Sequence, residues 1–374
     1  MRLLALAGDA DALIAQIRLR NPLEQLARER GWVLDLRSFH DCPWSLLAQA
    51  DLLIVQRGLS RRAAELQRLL RARGAAVIYE IDDLLTDLPA HISNHAAVQA
   101  AQPWLRQCLL DSDLVTVSTE RLGRELAAPH WAVVPNAAWP PQDLPPPAAQ
   151  PGEPVTLLLA SMEGLEAGFL FPALRAVAGP GVRIVAVGPP AALLAAAGVP
   201  VQAQALLPRE RFMPWVREQP NVVAVIPLEA SRFAACKSAI KWFEYSHAGV
   251  PVLASAVSPY ADVVQDGVTG VLLPNEAAAW ETALRRACRD AAWRQDLAAA
   301  AMRDVRSRFN FGHMVAAWGA AIDLALARRR LAAVQPLSLT ERLRWWTWRG
   351  LEGPRQSLRQ FNRARLARRH AARP

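Results

Sequence analysis

The sequence has few cysteines and no long apolar run. Its four cysteines, Cys42, Cys108, Cys236 and Cys288, are far apart and form no C-x-x-C pair. This spacing argues against a zinc site and a disulfide framework, and it suits a reducing cytoplasm. No apolar run is long enough to span a bilayer, and aspartates interrupt the short apolar stretch at the start. We therefore expect a cytoplasmic protein without a secretory signal.

Metal-binding patterns are scarce as well. His91 and His95 would share one face of a helix, but no third ligand and no H-E-x-x-H pattern accompanies them. They are predicted to be a surface pair. We expect neither a metal nor a resident cofactor.

Charge is low over most of the chain and concentrated at one end. Charged residues make up 21% of the 374 residues, and the formal net charge is +9. Residues 341–374 contain ten arginines and two acids, so the other residues together carry only +1. With 52% hydrophobic residues the chain is globular, and its length allows two domains that each bury a core.

Strand and helix patterns alternate through most of the chain, which is typical of parallel sheets covered by helices on both faces. Residues 1–138 are predicted to be the first domain. Residues 139–154 include seven prolines and are predicted to be a stiff linker. Residues 155–335 are the second predicted domain, whose last helix is expected to return towards the first, and residues 336–374 are a basic tail. The pattern indicates an α/β protein with two Rossmann-like, doubly wound domains.

A charged stripe is predicted on a helix from Phe233 to Gly249. At about 100° per residue, Lys237, Lys241 and Glu244 fall on one face, and apolar side chains fill the other. Helix N-termini that follow a strand bind phosphate groups, so two lysines there suit a diphosphate, while the carboxylate suits sugar hydroxyls. On spacing alone, a solvated face with a Lys241–Glu244 pair is the commoner explanation.

Three motifs follow one another in this region. They are K-S-x-x-K-x-x-E-Y from Lys237 to Tyr245, A-G-x-P-V-x-A-S from Ala248 to Ser255, and D-G-x-T-G from Asp266 to Gly270. Together they resemble the donor-binding half of GT-B glycosyltransferases, in the large retaining group that uses nucleotide sugars. Each motif alone is weak, but three in order over about fifty residues are specific. The resemblance covers most of residues 15–310 and implies the GT-B architecture, with two domains facing a cleft.

The resemblance also implies a donor site. Its expected residues are Lys237, Ser238, Lys241, Glu244, Ser255 and Tyr260. In the family, the glutamate at the position of Glu244 holds the ribose, and Glu244 is counted among the catalytic residues. The two lysines and the helix start would neutralise the departing diphosphate. The donor, a nucleotide diphosphate sugar, would be a substrate and not a cofactor.

Two features depart from the family pattern. The family has a second glutamate eight positions before Glu244, where this chain has Cys236; Glu229 in the preceding loop is a candidate substitute. Many members also have a basic residue soon after the first strand of the donor domain, but the loop from Ala160 to Phe171 has none. More weight then falls on Lys237 and Lys241.

The first half supplies the acceptor-side candidates. Asp82 and Asp83 end a predicted strand; they would orient the acceptor or handle a proton, and the alternatives are a helix N-cap or an acidic metal motif. Arg18 and Arg57 lie near predicted strand ends or helix starts and would line the acceptor or phosphate side of the cleft, although a surface position is the commoner explanation for each. Asn136 resembles the asparagine that ends the family's first domain, or it caps a turn.

These features predict a metal-independent glycosyltransferase, and the resemblance implies that it retains anomeric configuration. It would transfer a sugar to a glycan, lipid-linked or protein acceptor in cell-surface polysaccharide synthesis. The alternatives are a GT-B sugar epimerase and a degenerate, non-catalytic protein that binds glycan or acts as a scaffold at a membrane. Cys236 and the missing basic loop residue favour the degenerate protein.

The tail has the composition of a membrane-surface helix. Trp345, Trp346 and Trp348 lie among arginines, and tryptophan with arginine suits an anionic lipid interface. Residues 341–374 are therefore predicted to attach the cytoplasmic protein peripherally to the inner membrane. Packing of the tryptophans on the first domain and a nucleic-acid tail are the alternatives, and no nucleic-acid partner is expected.

Overall fold

The computed structural model shows an α/β protein with two parallel six-stranded sheets. It describes residues 1–39, 41–138, 145, 150–162, 167–331 and 339. Most of the predicted linker and the whole of the predicted membrane segment 341–374 lie outside the described residues. The predicted α/β architecture with two sheets is confirmed.

The first sheet has the strand order β2-β1-β3-β4-β5-β6. Its strands are β1 (Arg2–Ala7), β2 (Val33–Ser38), β3 (Leu52–Gln56), β4 (Ala76–Ile81), β5 (Leu114–Val117) and β6 (Trp131–Val133). The central strands β3 and β4 are buried along their whole length, which explains why they are apolar runs and not alternating patterns. Parallel pairing places Gln56 beside Glu80 at the carboxyl ends of these two strands.

Short helices connect these strands. They are α1 (Leu13–Ala15), a π-helix (Gln16–Arg20), α2 (Asn21–Arg30), α3 (Trp44–Gln49), α4 (Arg61–Ala72), a 3-10 helix (Leu85–Asp87), α5 (His95–Ala100), α6 (Gln102–Leu110) and α7 (Glu120–Leu126). The Ser60 hydroxyl accepts a hydrogen bond from the N–H of Ala63 at 3.2 Å and caps α4. Gly31, with φ of 65°, ends α2 in the left-handed conformation that glycine favours.

The second sheet has the strand order β12-β11-β10-β7-β8-β9. Its strands are β7 (Val155–Ala160), β8 (Val182–Val187), β9 (Gln202–Gln204), β10 (Val223–Ile226), β11 (Val252–Ser255) and β12 (Val271–Leu273). The strands β7, β10 and β11 are neighbours, so their carboxyl ends meet at one edge of the sheet. Ligands of doubly wound sheets bind at such an edge.

Helices lie between and after the strands of the second sheet. They are α8 (Leu170–Val177), α9 (Pro190–Ala196), α10 (Arg209–Glu218), α11 (Arg232–Ala235), α12 (Ile240–His247), α13 (Ala277–Arg289), α14 (Ala291–Arg308) and α15 (Phe311–Leu331). Trp242 of α12 packs in one apolar cluster with Leu158, and Trp280 of α13 packs in another with Leu157. Because successive strand residues face opposite sides, the two tryptophans anchor their helices on opposite faces.

The chain divides into two compact units. The first comprises Met1–Glu80, Pro103–Val115 and the described residues from Ile322 onward; the second comprises Ile81–Gln102 and Thr116–Ala321. The segments that follow β4 and β5 therefore belong to the second unit. The domain boundaries drawn from the sequence stay a prediction. None of the described helices combines the length and apolar character that crossing a membrane requires.

Candidate functional site

The predicted continuous helix from Phe233 to Gly249 is wrong. The structure has two short helices there, α11 and α12, and residues 236–239 between them are not helical. We call residues 236–239 the lysine turn, because Lys237 lies in it. The Ser231 hydroxyl caps α11 by accepting from the N–H of Ala234 at 3.0 Å. The three charged residues of the motif therefore do not share one helical stripe: only Lys241 and Glu244 are on α12.

Two side chains from distant parts of the second unit hold the lysine turn. The Thr119 hydroxyl donates to the carbonyl of Cys236 at 3.0 Å, and the Asn136 amide donates to the Ser238 hydroxyl at 2.6 Å. A carbonyl that a continuous helix would bond internally thus has a side-chain partner, which explains how the helix breaks without loss of hydrogen bonding. Asn136 is buried and its amide supports the turn.

The ammonium group of Lys241 lies at the carboxyl end of β7. Lys241 Nζ donates to the carbonyl of Ala160, the last residue of β7, at 2.8 Å. The pKa of Lys241 is lowered to about 8, chiefly by burial and then by the charge of Lys237, whereas the charge of Glu244 acts to raise it. Lys237 Nζ lies 4.7 Å from the centre of the Phe233 ring. Binding of an anion near these two positive charges would be electrostatically favourable, because it would offset their repulsion.

Arg209 is a member of the site that the sequence analysis missed. Its Nη2 donates to Glu244 Oε1 at 2.8 Å, and the two side chains are only 13% and 19% exposed. Burial raises the pKa of Glu244, whereas Arg209 and then Lys241 lower it. Arg209 begins α10, thirty-five residues before Glu244. Its local pattern resembles that of many other helix-starting arginines, so no signal in the sequence alone distinguishes it.

Ser255 and Tyr260, predicted to contact the donor, are both buried. The Ser255 hydroxyl accepts from the N–H of Leu228 at 2.8 Å, and the Asn275 amide donates to the Leu228 carbonyl at 3.0 Å. Burial raises the pKa of Tyr260 far above its ordinary value, so its hydroxyl stays protonated. In this conformation Ser255 shapes the loop after β10, and its contact with a donor stays a prediction.

The D-G-x-T-G motif has a supporting position. The Trp242 indole donates to the carbonyl of Thr269 at 2.9 Å, and Asp266 Oδ1 accepts from the N–H of Leu272 at 2.8 Å. Gly267 has φ of 72°, which glycine adopts without strain. The motif therefore fixes α12, and with it Lys241 and Glu244, against the sheet.

Asp82 and Asp83 follow β4, as predicted. Asp82 is 7% exposed, and its carbonyl accepts from the Ser118 hydroxyl at 3.0 Å. The next element is the 3-10 helix that begins at Leu85, whose N-cap position is Leu84 and has no side-chain cap. The alternative of a helix N-cap formed by the aspartates is therefore not found. Their role towards an acceptor stays a prediction.

An ion pair connects the segment after β4 to α11 within the second unit. Arg232 lies 3.3 Å from Asp87 and 2.7 Å from Glu125. All three side chains are substantially exposed, so salt screens these pairs and each contributes little to stability. They add to the two partly buried hydrogen bonds, from Thr119 and Asn136, that hold the lysine turn.

Arg18, predicted on the acceptor side, lies in the interior of the first unit. It is fully buried and its Nε donates to Glu80 Oε1 at 2.8 Å. Gln56 donates to the other Glu80 oxygen at 2.9 Å. The expectation that Arg18 lines an open surface is wrong, because a buried guanidinium needs this buried carboxylate as its partner. Arg57 follows β3 with φ of 44°, an uncommon conformation for arginine.

The histidines, Glu229 and Cys236 are the remaining candidates from the sequence. His91 is exposed, and His95 Nδ1 is 2.8 Å from the carbonyl of Leu88. Among the described residues, no group of three or more His, Cys, Asp or Glu side chains could hold a metal ion. Glu229 is exposed. Cys236 is buried, and burial raises the pKa of its thiol to about 11, so the side chain stays neutral where the family has a carboxylate.

Comparisons with known proteins show which solved structures share this fold. No protein-family model matches the sequence, and no curated protein matches it significantly. Solved structures do match. A sucrose-phosphate synthase from Thermosynechococcus elongatus aligns over 87% of this chain and 99% of its own, with a TM-score of 0.66 and 16% identity.

Two further structures give the same alignment. HepE of Anabaena, solved with UDP-glucose, covers 86% of this chain and 99% of its own, with a TM-score of 0.59 and 15% identity. A lipopolysaccharide outer core galactosyltransferase, WaaB, covers the same shares with a TM-score of 0.57 and 12% identity. At such identities the likeness concerns the fold, and it confirms the predicted architecture: this chain has the GT-B fold of these glycosyltransferases.

Proposed function

We propose that this protein is a glycosyltransferase that uses a nucleotide diphosphate sugar as its donor. One observation carries the proposal: in the second sheet of a GT-B fold, Lys241 lies at the carboxyl end of β7, close enough to Lys237 and to Glu244, which pairs with Arg209, for their charges to act on it. Similar structures support it, since HepE has been solved with UDP-glucose, with UDP and glucose, and with UDP.

Each group would act on a different part of the donor. Lys237 and Lys241 would neutralise the negative charge that develops on the diphosphate as the bond to the sugar breaks. The backbone N–H groups at the start of α12 would add to this field. Glu244 would accept hydrogen bonds from the ribose hydroxyls. Asp82 and Asp83 would orient the acceptor.

The finer features of the proposal follow the resemblance. The reaction would retain the anomeric configuration and need no metal, because the lysines supply the positive charge. The acceptor would be a glycan, a lipid-linked sugar or a protein in cell-surface polysaccharide synthesis. Residues 341–374 would hold the cytoplasmic protein on an anionic membrane, where a lipid-linked acceptor is found. Deleting them should then release the protein from anionic liposomes in a flotation assay.

A donor screen tests the proposal. Release of the nucleoside diphosphate is measured for UDP-, GDP-, ADP- and dTDP-sugars, with and without EDTA. At least one donor should be turned over, EDTA should have no effect, and Lys241→Met should slow the reaction about a hundredfold. Arg211→Met, which removes an exposed charge from α10, is the control and should leave the rate unchanged. Absence of turnover and of nucleotide binding with every donor contradicts the proposal.

A further inference from the structure

The Glu244 carboxylate has one oxygen engaged and one available. Oε1 accepts from Arg209 at 2.8 Å. Oε2 has no hydrogen-bond partner in the part of the chain that the structure describes, although the side chain is 19% exposed and so reaches solvent. An oxygen that is fixed through its neighbour and still accessible is well placed to accept a hydrogen bond from a ligand.

Arg209 and Glu244 are held by packing and not only by their charges. Phe212, one turn after Arg209 on α10, lies 6.4 Å from Tyr245 in an edge-on contact, and 6.2 Å from Trp215 in a stacked one. Tyr245 is the residue next to Glu244. The contact between Phe212 and Tyr245 therefore docks α10 against α12 next to the ion pair.

This pair differs from the other ion pairs of the second unit. Arg285–Glu281 is 42% and 37% exposed, and Arg232–Glu125 is 58% and 30% exposed. Arg209–Glu244 is more buried than either. Removing charges from water costs free energy that a partly buried pair regains incompletely. A stability role alone therefore explains the pair poorly.

The charged surroundings of Glu244 favour its ionised form. Arg209 is its closest opposing charge, and Lys241 is the second. Burial has the largest influence on the pKa values of Arg209, Lys241 and Tyr245. Beyond burial, the charges of Glu244 and Glu210 raise the pKa of Arg209, the charge of Lys237 lowers the pKa of Lys241, and the charge of Glu244 raises the pKa of Tyr245. Burial works in the opposite direction and favours a proton on Glu244. Without Arg209, the main counterweight to burial would be lost.

We propose that Arg209 is a positioning residue for the donor: it fixes Glu244 Oε1, places a positive charge opposite the carboxylate and leaves Oε2 to accept a hydrogen bond from the donor's ribose. The inference rests on the proposed function. In this proposal Arg209 would act on the ligand only through Glu244 and would not contact the diphosphate. This distinguishes it from the two lysines, whose positive charges would act on the diphosphate directly.

The test compares two ligands at two pH values by calorimetry. The ligands are the nucleoside diphosphate that the wild-type protein binds most tightly and inorganic pyrophosphate, which lacks the ribose. The variants are Arg209→Met, Arg209→Lys and the control Arg211→Met. Each affinity is expressed relative to the wild type at the same pH, so that the titration of Lys241 cancels.

Arg209→Met should weaken nucleoside diphosphate binding about tenfold near pH 6 and only about threefold near pH 8, because higher pH ionises Glu244 without help. Pyrophosphate binding should change less than about twofold. Arg209→Lys should retain most of the wild-type affinity, because it keeps the positive charge. It also serves as the second variant if Arg209→Met folds poorly. Arg211→Met should behave as the wild type.

Three results overturn the inference. One is unchanged nucleoside diphosphate affinity in folded Arg209→Met at both pH values. Another is an equal loss for pyrophosphate, which would make Arg209 a phosphate ligand. A third is a loss that does not depend on pH. If the wild type binds pyrophosphate but no nucleoside diphosphate, the proposed function fails first, and the result is distinguishable from the other three.

Discussion

Lys241 is a cation in a place that disfavours its charge. One backbone carbonyl accepts from its ammonium group, while burial and Lys237 lower its pKa to about 8. The ordinary value for lysine is about 10.4. Between these two values the unfolded chain binds more protons than the folded one, so the ligand-free protein should gain stability as the pH rises through this interval. Ligand binding should follow the opposite trend.

Nucleoside diphosphate affinity should fall as the pH rises above about 8, because neutral Lys241 no longer attracts the diphosphate. Calorimetry between pH 7 and about 9.5 measures this. Lys241→Arg should flatten the profile, since arginine stays charged over the whole range. Lys237→Arg is the matched control and should keep the wild-type slope. A wild-type affinity that does not vary with pH would show that Lys241 does not act through its charge.

Glu244→Ala should weaken nucleoside diphosphate binding about ten- to a hundredfold, the value of a charged hydrogen bond. It should also lower the melting temperature, because it leaves Arg209 partly buried without its carboxylate. The double variant Glu244→Ala/Arg209→Met should recover the melting temperature but not the affinity. Thermal unfolding and calorimetry on the wild type, the two single variants and the double variant separate the effect on stability from the effect on affinity. Recovery of affinity in the double variant would contradict the ribose role.

The break between α11 and α12 shows how tertiary contacts override a local helical pattern. The sequence from Phe233 to Gly249 has a helical period, and the lysine turn interrupts it because Thr119 and Asn136 bond to it. These partners lie 117 and 102 residues away in sequence. No local pattern contains that information, and therefore the prediction placed Lys237 on a helix where the structure has a turn.

Thr119→Val should loosen the lysine turn. It removes the hydrogen bond to Cys236 and the cap of α7, where Thr119 accepts from the N–H of Leu122 at 3.2 Å. Each lost bond costs about 0.5–1.5 kcal/mol. Nucleoside diphosphate affinity should fall about three- to tenfold, because Lys237 is no longer held in place.

Thr119→Ser is the matched control, because it keeps the hydroxyl and should retain both stability and affinity. Thermal unfolding and calorimetry measure the two quantities. An affinity loss in Thr119→Ser as large as that in Thr119→Val would show that the methyl group, and not the hydrogen bond, is responsible.

Across the whole chain, the sheets were more predictable than the side-chain partners. Strands buried on both faces are apolar runs that can be recognised in the sequence, and β10 and β11 are examples. The alternation of such runs with helical patterns predicts two doubly wound domains, whereas the GT-B architecture is implied by the resemblance of the three motifs. Arg18 shows the limit: its carboxylate partner is 62 residues away, and the pattern around an arginine does not show whether it is buried.

The buried pair of Arg18 and Glu80 should matter for stability and not for acceptor binding. Arg18→Met leaves Glu80 buried without its cation, which should cost about 3–5 kcal/mol. The midpoint of urea unfolding measures the loss. Arg18→Met/Glu80→Met removes both charges and should recover much of it. Donor turnover per folded molecule should equal that of the wild type; a selective loss of transfer to acceptor would return Arg18 to the acceptor side.

The two hydrogen bonds that hold the lysine turn join residues far apart in sequence, and this distance also sets an order of events during synthesis. Its donors, Thr119 and Asn136, leave the ribosome about a hundred residues before Cys236 and Ser238 do. Their hydrogen bonds to the lysine turn can form only after residues 236–239 have been synthesised. A gene cut within the proline-rich linker would therefore yield a carboxyl-terminal fragment with both lysines and Glu244 but without the groups that shape the turn. Adding back the amino-terminal half as a separate chain would be required to restore it.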